Sequence, residues 1–159
     1  MLWVHATHEQ PLIRSSVYRL IKTCTLKAPE LAELSADHLS QHFLSKCFGE
    51  KDSGCYSYLW DALLLLTKHH SSLWIKASEK KPVINKFYAC LSEAMYGSGK
   101  SSYPCILPLI AHLPASICDQ EFFNHFLSNM WKGSEKIDRF SGVVFMKSYY
   151  ECCQYLLKR

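Results

Sequence analysis

No polar/apolar alternation of the kind that marks a strand persists anywhere in the 159 residues, so a sheet-built fold is not expected. Long apolar runs are missing too. The longest leucine run, Leu63 to Leu66, falls far short of the roughly 20 residues that cross a bilayer, which excludes a membrane-spanning helix. No C-x-x-C pair occurs, which removes the usual nucleus of a structural zinc module. Met1 to Gln10 holds His5, His8 and Glu9 and no apolar centre, so it does not read as a secretory leader. A dense Lys/Arg footprint is also lacking: the formal net charge is +4, a mild bias that permits an acidic partner without demanding one.

Apolar side chains are plentiful. Hydrophobic residues make up 48% and charged residues 20%, the balance of a folded domain. Nine Tyr, eight Phe and four Trp suit helices packed on helices. The eight Cys (Cys24, Cys47, Cys55, Cys90, Cys105, Cys118, Cys152 and Cys153) fall mostly at apolar-periodic positions, where a thiol behaves as a small hydrophobe. Reduced thiols, in the cytosol or the nucleus, are the expected state.

A 3.6-residue period recurs along the chain. A first helix opens at Pro11, buries Ile13, Val17, Leu20, Ile21, Cys24 and Ala28, and stops at Pro29. A second is capped by Ser35, buries Leu39, Phe43 and Cys47, and ends at Gly49. Asp52 or Ser53 caps a third, carrying Leu59, Trp60, Leu63, Leu64 and Leu66. A connector over 71–78 tucks Trp74 and Ile75 inward. A fourth helix carries Val83, Ile84, Phe87, Cys90, Leu91 and Met95. Loop 97–102 leads to a short helix from Pro104 to His112, a sixth capped by Asp119 with Phe122, Phe123, Phe126, Met130 and Trp131, and a seventh from about Ile137 with Phe140, Val144, Tyr149, Cys152, Cys153 and Leu156. The expected fold is all-α: about seven helices in antiparallel pairs, stacked as a HEAT/armadillo-like α-solenoid with units near 11–49, 52–97, 103–133 and 136–159. The apolar run that reaches Arg159 and the helix-like opening Met1-Leu2-Trp3-Val4 predict a stretch cut from a longer chain.

Chemistry-bearing motifs are thin. Gly97-Ser98-Gly99-Lys100-Ser101 imitates a phosphate loop, but Ala94 stands where that loop needs Gly and a helix precedes it instead of a strand. His38 and His42 share a helix face at metal-compatible spacing without further ligands. His69-His70 suits the C-terminal end of the third helix. No catalytic, cofactor or metal residue is assigned. Arg14, Tyr18 and Lys22 form a stripe on the first helix, read as lying opposite its apolar face, with Arg19 and Lys27 nearby. It is the one candidate partner surface, for RNA phosphates or an acidic protein.

An ordered set of segments adds to this. Pro11 to Ser15 (PLIRS), Gly49 to Asp52 (GEKD), Cys55 to Ala62 (CYSYLWDA), Tyr103-Pro104, Leu107-Pro108 and Glu151-Cys152 together resemble the N-terminal HEAT-like region of listerins, RING-type E3 ubiquitin ligases. The resemblance implies a cytosolic scaffold or docking arm of ribosome-associated quality control. Its partners would be the large (60S) ribosomal subunit, carrying a stalled nascent chain, and the quality-control cofactors on it. A RING, with its zinc and its ubiquitin-conjugating enzyme, is absent here, so no ubiquitin transfer is expected of this segment. Neither a small-molecule substrate nor a membrane is expected. A free-standing HEAT-type adaptor is the alternative, and a helical Cys/His enzyme ranks behind it.

Overall fold

Pro11 and Pro29 set the limits of the first long helix. A proline in the first turn loses no hydrogen bond, because its N–H would be unpaired there anyway. The residue before a proline is pushed out of the helical region, and Ala28 adopts φ −147°, ψ 64°. Helix α1 accordingly spans Pro11–Lys27, closed by the Ala28 N–H on the Cys24 carbonyl at 2.8 Å. The same proline that stops α1 also starts a short helix, α2 (Pro29–Leu34), which the periodicity did not reveal.

The computed structural model describes residues 2–78, 81–96, 109–110, 112–117, 120, 122, 124, 150 and 153–154. It is all-helical, with no strand among the described residues. A 3₁₀ segment, Leu2–Thr7, precedes α1. After α2 comes α3 (Ala36–His38), which runs directly into a π-helical stretch, Leu39–Leu44. Leu39, Ser40, Phe43 and Leu44 of this stretch are all in the core. Ser35 makes no side-chain cap bond, contrary to the expectation for it. A 3₁₀ turn, Cys47–Gly49, follows. Gly49 does not end it in the left-handed conformation expected of a terminal glycine, since no glycine among the described residues has positive φ.

Helix α4 (Ser53–His69) begins as expected at Asp52, whose carboxylate accepts the Gly54 N–H at 2.9 Å. It ends at His69, with the His70 N–H on the Leu66 carbonyl. The predicted connector is itself a helix, α5 (Leu73–Ser78). Trp74 points inward from it as expected, but Ile75 is exposed. Helix α6 is Lys81–Tyr96 and buries Val83, Phe87 and Tyr88, with Ile84 and Cys90 partly covered. The side chains of Leu91 and Met95 lie outside the described set. Of the later predictions, Leu109, Ile110, His112, Gln120, Phe122, Asn124, Tyr150, Cys153 and Gln154 are helical. Leu109, Ile110, Leu113, Ile117 and Phe122 are buried. The 97–102 loop, Asp119 and the rest of the last two predicted helices lie outside the described residues.

Helix α1 packs chiefly on α4. The contacts rise in the same order along both: the Cys55 thiol on the Pro11 carbonyl at 3.3 Å, Arg19 over the Tyr58 ring at 5.9 Å, and Lys22 on Asp61 at 2.7 Å. The two helices therefore run parallel. Val17, Tyr18 and Ile21 of α1 meet Leu59, Trp60, Leu63 and Leu66 of α4 in one core. A second focus is aromatic. Phe48, Trp74 and Phe87 lie with ring centroids 4.9–5.9 Å apart, and Tyr88 continues the row to Phe122 at 5.4 Å. Trp74 is 1% exposed and donates its indole N–H to Thr67 Oγ1 at 2.9 Å. Trp74→Ala should cost ~3–5 kcal/mol in urea denaturation followed by circular dichroism. Ile75→Ala, one position along, should stay within about 0.5 kcal/mol.

Candidate functional site

The stripe on α1 is where sequence and structure differ most. Tyr18 is 1% exposed, so it belongs to the buried face of α1 and not to the opposite one. Arg14 lies beside it, half-buried, because a carboxylate waits there: Glu50, on the turn between Gly49 and α4. Arg14 Nε and Nη2 donate to the two Glu50 oxygens at 2.7 Å each, in the planar two-pronged arrangement that matches guanidinium to carboxylate. The Tyr18 hydroxyl donates to Glu50 Oε2 at 2.8 Å. The amides of Lys51 and Asp52 donate to Oε1 at 3.0 and 2.9 Å. The third arm of Arg14, Nη1, reaches the carbonyls of His8 and Glu9 at 2.8 Å. Lys22 makes a separate and more exposed pair with Asp61, of the kind that contributes ~0–1 kcal/mol.

Burial by itself would push the Glu50 carboxyl up. The Arg14 guanidinium, the Asp52 amide and the Tyr18 hydroxyl outweigh it and hold the carboxyl below its ordinary value of 4.5. Tyr18 is driven far above its ordinary value by burial and then by the hydrogen bond to Glu50. For Arg14, the bond to Glu50 makes deprotonation harder still. The cluster is thus locked in one charge state at neutral pH, which suits a structural joint and not a proton-transfer site.

A cleft of about 260 Å³ opens above this joint. The end of the first 3₁₀ segment with the two residues after it (Ala6 to Glu9), Arg14 and Tyr18 of α1, Lys46, and the turn Gly49 to Lys51 line it. Sequence reading missed both the cleft and Glu50. The only written signal was the Gly-Glu-Lys-Asp segment, which says nothing of Arg14, 36 residues away.

Other candidates hold less. The rings of His38 and His42 stack with centroids 6.0 Å apart, and Nδ1 of each is buried without a hydrogen-bond partner. Among the described residues no group of three His, Cys, Asp or Glu comes together as a metal site. Cys47 and Cys55 are buried, and burial raises both thiols above their ordinary value, which makes them poor nucleophiles. Ala94 sits within α6, and residues 97–101 lie outside the described set.

A family model for the N-terminal domain of the E3 ubiquitin-protein ligase listerin matches residues 1–113. The chain belongs to the listerin family. It is 25% identical to mouse (Mus musculus) E3 ubiquitin-protein ligase listerin across 99% of its own length, and spans 9% of that listerin. No solved structure matches. The listerin match takes in the whole joint: the segment before α1, Arg14, Tyr18 and Glu50.

Replacing Glu50 by Gln should destabilise the fold by ~3–5 kcal/mol at neutral pH, since the half-buried Arg14 guanidinium loses its counter-charge and keeps only the His8 and Glu9 carbonyls. The pH dependence follows from the lowered Glu50 value. Its contribution is complete above about pH 5 and is lost as pH falls through the lower folded-state value. Wild type should therefore shed stability over that acid range, and Glu50→Gln should show a flatter acid limb in denaturation midpoints measured from pH 7 to 3. Tyr18→Phe keeps the packing and removes one charge-assisted bond, so a smaller loss of ~1.5–3 kcal/mol is expected by the same measurement.

Proposed function

We propose that this chain is a docking and scaffold segment of a listerin-type E3 ubiquitin ligase that works in ribosome-associated quality control, in the cytosol, on the large ribosomal subunit and the cofactors bound there. The family match over residues 1–113 carries the reading. The packing supports it. In a HEAT-type stack the first helices of successive units lie side by side and parallel, and α1 and α4 have that relation. On this reading 11–49 and 52–97 are successive antiparallel units, with 103–133 and 136–159 extending the stack. A ligase that must bridge distant points on a large particle needs such reach.

Ubiquitin transfer on this reading belongs to other parts of the ligase, with its zinc and its conjugating enzyme. Arg14 and Tyr18 shape the docking surface from beneath. Lys22, whose side chain is 40% exposed, keeps a face toward a partner. The full-length ligase should co-sediment with 60S subunits in a sucrose gradient, and removal of residues 1–113 should reduce that association several-fold. An intact ligase that stays at the top of the gradient would reject the ribosomal reading and leave the free-standing adaptor.

A further inference from the structure

The cleft over the Arg14–Glu50 joint has a neutral floor and a positive rim. Arg14 and Glu50 cancel within it. Around the opening stand Lys46 and Lys51, both exposed, with His8 and one acid, Glu9. Neither lysine pairs with a carboxylate among the described residues. A second observation comes from Gly49, on the cleft wall. Its φ is not positive, and a Cβ built there would meet nothing within 4 Å. Neither backbone conformation nor internal packing asks for glycine at this position. What its missing side chain does is leave room in the cleft for another backbone to approach.

We infer that this cleft is a binding site for an acidic peptide segment, which lays its backbone along Gly49 and places a Glu or Asp side chain between Lys46 and Lys51. A peptide fits better than RNA. A volume of about 260 Å³ holds one side chain and its flanking backbone. Of the two rings in the lining, Tyr18 is buried and offers no stacking platform, which leaves the single His8 imidazole for a base. Two lysines opposed by Glu9 make a weak phosphate track but a sufficient seat for one carboxylate. The inference stands apart from the ribosomal reading, and its test contains no ribosome.

The test is fluorescence anisotropy on the 159-residue chain with a rhodamine-labelled, C-terminally amidated peptide of alternating glutamate and serine. Saturable binding is expected, absent for the same peptide with glutamine in place of glutamate. Lys46→Glu combined with Lys51→Glu should weaken it by roughly tenfold, as expected for reversal of two rim charges. Gly49→Leu should weaken it to a similar degree with an unchanged thermal midpoint, because the new side chain fills only open space. If the charge-reversed variant loses its helical circular dichroism, Gly49→Leu decides alone. Absence of saturable binding overturns the proposal. So does equal binding of the glutamine peptide, unchanged affinity in a folded variant, or tighter binding of an oligouridine of equal charge.

Discussion

A carboxylate taken out of water destabilises a fold by several kcal/mol unless its lone pairs are met. Glu50, with a side chain 1% exposed, is such a group, and the structure around it is arranged to meet it. It accepts five hydrogen bonds, two from Arg14, one from Tyr18 and two from its own following amides. Bonds of this charge-assisted kind contribute ~1.5–3 kcal/mol each, so together they offset the desolvation. The donors come from two places in the chain, and Arg14 adds a third by holding the carbonyls of His8 and Glu9. One charge thereby fixes where the N-terminal segment ends, how α1 lies and where α4 begins. An apolar substitute could fill the same volume but could not dictate this register, because oily faces slide and a two-pronged pair does not.

That register has consequences further along. With Arg14 tied to the turn before α4, the start of α1 is brought to the start of α4, and the two helices must run parallel. Residues one and two turns on then meet in order, Arg19 with Tyr58 and Lys22 with Asp61. The apolar faces follow: Val17 and Ile21 are carried onto Leu59, Trp60 and Leu63. The parallel course of α1 and α4 thus follows from one buried pair and the apolar faces it brings together.

Much of the local structure was legible because it rests on local chemistry. Pro11, Pro29 and Asp52 each act within a few residues, and the ends of α1 and the start of α4 lie where they put them. Cys47 read correctly as a small hydrophobe because helical spacing placed it with Leu39 and Phe43. What failed depended on partners distant in sequence. Arg14 and Tyr18 looked like a solvated stripe because periodicity counts a charged residue and a tyrosine as outward, and nothing near them announces a carboxylate 36 residues on. The π stretch was equally hidden. Leu39, Phe43 and Cys47 fit a regular helix, and nothing in their spacing announces the wider turn. At Trp74-Ile75 the inward face of α5 is taken by Leu73 and Trp74, and Ile75, about 100° further around the helix, is left outside.

The joint also decides what kind of surface the segment presents. Had Arg14 stood free on the outer face, the segment would offer a row of cations suited to any polyanion. Internal pairing removes Arg14 from that account, and Lys22 is half-engaged with Asp61. The uncancelled charge nearest the cleft is left to Lys46 and Lys51, on either side of the turn that Glu50 pulls inward. Because the floor is neutral, the field an approaching group meets there comes from the rim, where solvent screens it beyond about 10 Å at moderate salt. Such a surface discriminates by shape and short-range pairing more than by long-range attraction.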